Sequence, residues 1–302
     1  MSRIPRTFHF VFGLREQTEP FHLAHYICLA SCLEVNRPDI VMFHYRHMPY
    51  GPWWNRIKQR LHLNRIEEDA FMASYRYKDP DIAPFRYAHL SDITRLQVLL
   101  EYGGVYADID TIFVRPLPDD LYAEPCVMGK ERVDWTMPAA RQAGGSLCNA
   151  FIMAERGSSF VRAWLDSIYA EFDGSWSAHS TFLPYRLSQQ HPMSIRIEPE
   201  RSFFHLDWSR EGIRQLFERS AEDLEDVYNL HLWSHLWWDR SRTGFTCFHE
   251  GRLTPAYIAY AHTTYSKLAR RFLPPDLELD AKAYRRTVWL QQLENIRLKI
   301  GL

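Results

Sequence analysis

The sequence predicts an α/β fold, a mixed sheet flanked by helices with further helices toward the C-terminus. Three observations carry this. Phe8, Phe10 and Phe12 alternate with Thr7, His9 and Val11 as in a strand, which ends at Gly13 and enters the polar loop 14–19. An open α/β sheet presents a ligand crevice at its carboxyl edge in just this way. Strand-period and helix-period segments then alternate as far as residue 172. At the centre, in Tyr87–Leu117, a helix stops at a glycine pair and passes directly into a strand.

Taken in order, Phe21–Val35 reads as a helix apolar on most sides, with His22 and His25 structural. Asp39–Tyr45 is the second strand. Pro49–Trp54 is a turn opening a helix that runs to about Leu61, Leu63–Glu67 is a short strand, and Glu68–Pro84 is a loop long enough to fold over a ligand. In the central stretch Leu90, Ile93, Leu96, Leu99 and Leu100 recur at three- and four-residue steps, giving one apolar helix face. That helix starts near Pro84 or is capped by Ser91, and Gly103-Gly104 ends it, because glycine enters a left-handed cap without steric cost. Val105, Ala107 and Ile109 then alternate with Tyr106, Asp108 and Asp110, so one continuous strand places both aspartates on one face and closes at Pro116.

Beyond it, Leu117–Leu121 reads as a turn, Cys126–Gly129 as a short strand, and Arg132–Gly145, with few periodic apolar residues, as a mobile loop. Leu147–Ala154 is a strand in which Asn149 needs a hydrogen-bond partner. A helix follows from Gly157 to Phe172, then strand and turn over Ile195–Phe204 and a charged helix over Arg210–Asp226. Asn229–Trp238 is aromatic-rich; one reading is a core strand with His231, Trp233 and His235 on one face. After Pro274-Pro275, Leu279–Ile300 reads as an amphipathic helix carrying Arg285, Arg286, Arg297 and Lys299. It would pack on the domain, dimerise or rest on an anionic membrane surface. The expected organisation is one domain over residues 1–273, with a donor-binding core at about 4–155, a closing and acceptor part at about 156–273, and the C-terminal helix at 274–302.

The net charge of −1 provides no basic field for a nucleic-acid partner. Aromatic residues make up 15% of the chain, including 10 Trp, which suits stacking on bases and sugar rings as well as core packing. The five cysteines are odd in number and form no C-x-x-C, so they read as reduced and mostly buried. The N-terminus has no long apolar run and Phe21–Leu33 is too short to span a bilayer, so a cytoplasmic protein, at most membrane-peripheral, is expected.

Two features resist explanation as packing. Burying the like charges of Asp108 and Asp110 at the end of an apolar strand is expensive unless a cation joins them, and hard divalent ions take carboxylate oxygens. The chain holds its own control: Asp79-Pro80-Asp81 has the same spacing but sits among prolines, where it reads as a solvated turn. Asp92 and Arg95, three apart on the helix, place an acceptor and a forked donor near the same point.

The string Ser91-Asp92-x-x-Arg95, then Gly103-Gly104-x-Tyr106-x-Asp108-x-Asp110, resembles the sugar-binding region of the Asp-x-Asp glycosyltransferases. That group includes family 32 and the catalytic domains of the large glucosylating toxins. Ile4-Pro5-Arg6 with His9 is similar to the family's opening motif, and Phe12 falls where a base-stacking Trp is common. The resemblance implies a GT-A type, Rossmann-like nucleotide-sugar-binding fold. It also implies Mn²⁺ or Mg²⁺ on Asp108, Asp110 and a late histidine, with His231 favoured over His235. Phe12, Asp92, Arg95, Tyr106, Asp108 and Ser234 would bind donor, Asp92 and Arg95 gripping sugar hydroxyls. Asn149 would face the sugar, and Trp233 and Ser234 would close over the diphosphate.

The implied reaction is retaining transfer of a hexose from a nucleotide-sugar, UDP in preference to GDP, to a saccharide or glycolipid hydroxyl in bacterial surface polysaccharide synthesis. Around Gly174–Gln190 the family's Thr-Gly-Pro is replaced by Ser180-Thr181-Phe182-Leu183-Pro184, which weakens residue-by-residue transfer on the acceptor side. A metal-dependent phosphoesterase and a non-catalytic sugar-binding module are the competing readings.

Overall fold

The structure is a computed structural model describing residues 3–289, apart from 222, 283 and 287. The seven-stranded sheet runs in the order β3-β2-β1-β4-β7-β6-β8. Its strands are β1 (Thr7–Val11), β2 (Ile40–Tyr45), β3 (His62–Arg65), β4 (Gly104–Ala107), β6 (Cys126–Lys130), β7 (Leu147–Ala154) and β8 (Arg196–Glu198). β3, β2, β1 and β4 are mutually parallel, whereas β7 runs antiparallel to β4 and β6. This is the mixed sheet expected. The order reverses between β1 and β4, and ligands bind beyond the carboxyl ends of strands at such a switch point.

Helices cover both faces, and the short helices α2 (Pro52–Ile57), α3 (Ala70–Ser74), α5 (Asp119–Tyr122) and α6 (Pro138–Ala143) lie in the connections. On one lie α4 (Arg86–Tyr102), α7 (Ser159–Glu171) and α8 (Leu183–Gln190), closing a core around Leu90, Ile93, Leu96, Leu99, Trp164 and Ile168. On the other, α1 (Leu23–Val35) joins α9 (Glu200–Phe204), α10 (Arg210–Phe217), α11 (Pro255–Tyr260) and α12 (Thr264–Ala269) over a core that includes Ile27, Phe113, Phe203, Phe217, Trp237 and Tyr265. At about 1.5–3 kcal/mol per fully buried large apolar side chain, these two cores hold the sheet edge rigid. Both cores draw on residues before and after 155.

The central helix begins at Arg86, so Ser91 lies inside it and is not its cap. It ends as expected: Gly103 has φ +66° and Gly104 φ +115°. A Cβ on Gly104 would stand 2.3 Å from the Thr7 carbonyl oxygen, so β1 and the glycine pair fit only without it. His9 fastens this junction. The Gly103 carbonyl can only accept, so His9 Nε2–H donates to it (2.7 Å), which leaves Nδ1 to accept from His44 Nε2–H (3.0 Å) and His44 Nδ1 to accept from the Asn64 amide (3.0 Å). Burial depresses both imidazoles, His9 to about 4 and His44 to about 3.

Some segments depart from expectation. The loop 68–84 contains the short helix Ala70–Ser74, and 132–145 contains another, Pro138–Ala143, because local apolar contacts at Met72 and Ala140 bury what periodicity did not reveal. The charged helix at Arg210 ends at Phe217. Cys28, Cys32, Cys126 and Cys148 are buried free thiols, whereas Cys247 is exposed. No helix among the described residues is long and apolar enough to cross a membrane. The start of the C-terminal segment packs on the domain through the Arg56–Asp276 ion pair and Tyr284 against Tyr260. The remainder of the helix expected over 279–300, from 290 onward, lies outside the described residues.

Candidate functional site

The expected continuous strand through the two aspartates is broken. β4 ends at Ala107, Asp108–Asp110 form a turn, and β5 (Thr111–Phe113) leaves the main sheet to pair antiparallel with β9 (Asn229–His231). Pairing explains the break. The Asp108 N–H still bonds the Ala150 carbonyl at 2.8 Å, but the Asp110 carbonyl accepts from Leu232 N–H at 2.8 Å. The aspartates therefore stand at the junction of two sheets, not on one strand face. Register brings Thr111 opposite His231.

His231 Nε2 consequently lies 3.0 Å from Asp110 Oδ1 and 3.7 Å from Asp108 Oδ2. Trp233 adopts a left-handed conformation (φ +53°), which turns the chain so that Ser234 N–H donates to Asp110 Oδ2 at 2.8 Å. Tyr106 O–H donates to Asp108 Oδ1 at 2.6 Å. Asp108, Asp110 and His231 each offer a ligand atom, all within 4.8 Å of one another, the group of this kind among the described residues. Two carboxylate oxygens and an imidazole nitrogen suit Mn²⁺ or Mg²⁺. His235 is exposed, so His231 is the histidine of this cluster.

The electrostatics favour a cation here. Burial pushes the Asp110 carboxyl up, but the His231 charge and the Ser234 N–H outweigh it and hold it well below the usual range. Burial raises Asp108 against the opposing pull of Arg95. Burial works to lower the His231 pKa, yet the neighbouring Asp110 and Asp108 carboxylates outweigh it and raise it overall. A metal takes the neutral imidazole, so its affinity here would rise with pH.

The second half of the site is a knot around Asp92. Asn149 Nδ2–H and Arg95 Nη2–H reach Asp92 Oδ1 at 2.7 and 3.0 Å, and His179 Nε2–H donates to Oδ2 at 2.9 Å. Pairing between β6 and β7 jumps from Met128–Ile152 to Gly129–Cys148, and Asn149 sits in this irregularity, which aims its side chain at α4. Burial tends to raise the Asp92 carboxyl, but Arg95 and His179 bring it below its ordinary value. Arg95 also donates to the Asn149 carbonyl (2.7 Å) and the Ser91 carbonyl (3.2 Å), lies 3.4 Å from Asp108, and stacks its guanidinium 4.6 Å over the Tyr106 ring.

Eight expected residues thus converge: Asp92, Arg95, Tyr106, Asp108, Asp110, Asn149 and His231 through their side chains, and Ser234 through its backbone N–H. Two expectations need correction. Arg95 is 4% exposed and spends its N–H donors on protein, so it positions Asp92 and Asp108 rather than gripping sugar hydroxyls. Trp233 donates its indole N–H to the Leu206 carbonyl at 2.8 Å, because the left-handed turn folds its ring inward; it does not reach toward a diphosphate. Phe12 is half-buried among Phe21 and His25, with ring centroids 5.2 and 4.8 Å away, and His25 in turn stacks on Trp238.

Two residues were missed. His179 lies in the segment where the family pattern fades, and no spacing signalled it. Glu131, tied to Ser146 and raised by burial, faces the charge of His231; its isolated position in a polar loop provided no pattern.

Residues 29–128 match the family model described as the glycosyltransferase sugar-binding region containing the DXD motif. The chain is 30% identical over 295 residues to glucan organizing enzyme 1 of Cryptococcus neoformans, covering 94% of this chain and 74% of that protein. It is 34% identical over 61 residues to the human alpha-1,4-N-acetylglucosaminyltransferase, covering 20% and 18% of the two chains. Among solved structures, the galactosyltransferase LgtC in complex with donor and acceptor sugar analogs aligns over 89% of this chain and 98% of its own, with 13% identity and a TM-score of 0.47. With Ser91 to Arg95 on one helix, a glycine pair and the Asp108–Asp110 segment in one site, and a relative that matches 94% of this chain, this chain belongs to the glycosyltransferases whose sugar-binding region contains the DXD motif.

Proposed function

We propose that this glycosyltransferase moves a hexose from a nucleoside diphosphate sugar, UDP in preference to GDP, to a saccharide or glycolipid hydroxyl, with retention of configuration and a divalent metal. The observation that carries the reading is the convergence of Asp108, Asp110 and His231 beside the Asp92 knot at the sheet's switch point. Mn²⁺ or Mg²⁺, when bound, supplies positive charge against which the diphosphate leaves.

The protein's own residues do the rest. Ser234 N–H fixes one Asp110 oxygen and Tyr106 O–H fixes one Asp108 oxygen, leaving the other carboxylate oxygens and His231 Nε2 facing the same point. Asp92 keeps accepting capacity beyond Asn149, Arg95 and His179, so it orients a sugar hydroxyl while those three groups lock its carboxylate. Retention follows from the resemblance to family 32. We assign the reaction to surface polysaccharide assembly on the cytoplasmic side of the membrane.

The test is incubation of the protein with UDP-glucose, UDP-galactose, UDP-N-acetylglucosamine and GDP-mannose, with and without Mn²⁺, scoring free nucleotide and transferred sugar. Release from one donor that needs Mn²⁺ and falls at least about a hundredfold in Asp110→Asn supports the reading. Equal release by that variant contradicts it.

A further inference from the structure

We propose that Trp176, Phe85 and His235 form a platform on which the acceptor saccharide lies; this rests on the glycosyl-transfer reading above. Trp176 is 44% exposed, which is unusual for the largest apolar side chain. Its surroundings are more informative than its exposure. The Phe85 ring meets it edge-on, with centroids 5.7 Å apart, and the His235 ring lies 5.9 Å away.

These partners come from opposite walls of the site. Phe85 directly precedes α4, the helix that carries Asp92. His235 follows Ser234, whose N–H holds Asp110. Trp176 itself stands three residues before His179, which donates to Asp92, and its carbonyl is tied down by Ser180 Oγ–H at 2.9 Å. The indole therefore spans the gap between the sugar-holding and the metal-holding halves, at their solvent edge.

The chemistry of that position selects the ligand. Asp92 and Asp110 are buried beneath the rim, so the donor sugar and its phosphates belong below it. The group that must reach them from solvent is the acceptor. A pyranose offers a face of polarised C–H bonds and a rim of hydroxyls. An indole face, negative by its quadrupole, attracts the former and leaves the latter in water. Such stacking is tolerant of sugar identity. Phe85, edge-on to the indole, and the tilted His235 ring wall the platform on two sides.

The test needs no knowledge of the natural acceptor. Saturation-transfer NMR is recorded with cellobiose, maltose and lactose as probes, in the presence of UDP and Mn²⁺, on wild type, Trp176→Ala and Trp176→Phe. The expected result is saturation of ring C–H protons by wild type, at least about fivefold weaker in Trp176→Ala and largely kept in Trp176→Phe. All three proteins should share one thermal midpoint. In transfer assays with UDP-glucose or UDP-galactose, KM for the disaccharide should rise about tenfold in Trp176→Ala while KM for the donor moves less than twofold.

Undiminished saturation in Trp176→Ala, or no saturation of any probe by wild type, overturns the platform. Loss of donor affinity in parallel overturns it too. Wild type that turns over no donor with metal strikes the functional reading instead, and the NMR contact, which needs no turnover, still decides the platform.

Discussion

Replacing Arg95 separates its structural work from its chemical work. The guanidinium is buried, 3.0 Å from Asp92 and 3.4 Å from Asp108. At an effective dielectric of about 20, each contact is worth about 5 kcal/mol before the desolvation of the cation is subtracted. Removing one partner from a buried ionic group costs about 3–5 kcal/mol. Asp92 keeps Asn149 and His179, and Asp108 keeps Tyr106, which places Arg95→Met at the lower end, about 3 kcal/mol.

Arg95→Lys restores charge but cannot reach Ser91, Asn149, Asp92 and Asp108 from one ammonium. It should recover about half of the lost stability and little of the activity, with sugar-donor turnover still down at least about tenfold. Urea unfolding followed by tryptophan fluorescence, beside the donor assay, reads both. Arg95→Met within about 1 kcal/mol of wild type, or Arg95→Lys with full turnover, would refute the reasoning.

Two further outcomes follow from the junction that carries the site. His9 and His44 have folded pKa values lowered to about 4 and 3, so the unfolded chain takes up protons first and stability is fully present above about pH 6.5 and falls as pH drops through that value. Each histidine removes about 2 kcal/mol between pH 8 and pH 5, a figure set by the unfolded imidazole, and His44→Gln should make the slope of unfolding free energy shallower by about 1.4 kcal/mol per pH unit near pH 5; an unchanged slope would contradict the neutral relay. Gly104→Ala forces a Cβ against the Thr7 carbonyl at a positive φ and should cost more than about 2 kcal/mol in urea unfolding, whereas a neutral result would mean that β1 and β4 can separate freely.

The sheet was legible because its strands are short apolar runs bounded by glycine and proline, and α4 because its leucines keep helical period. The motif residues were legible as types at fixed spacing. Their arrangement was not, since it depends on pairing between segments far apart in the chain. Periodicity extends the strand through Asp110, and only the competition of β9 for β5 shows that it breaks there. His231 was found because His231-x-Trp233 resembles a late segment of the family, whereas His179 has no local pattern and reaches Asp92 across 87 residues. Trp233 and Arg95 were misread for one reason: residue type reveals what a side chain can donate, and burial decides to whom.

We propose that Asp108, Asp110 and His231 hold a divalent metal that a nucleoside diphosphate needs in order to bind. The most direct measurement is the thermal midpoint with UDP, GDP and CMP, each with and without Mn²⁺, on wild type and Asp110→Asn. A ligand at 100 times its Kd stabilises by about 2.7 kcal/mol, a shift of several degrees for a chain of this size. The account predicts that shift for one nucleoside diphosphate, only with Mn²⁺, and its loss in Asp110→Asn. A nucleotide shift that needs no metal, or that survives in the variant, would contradict it.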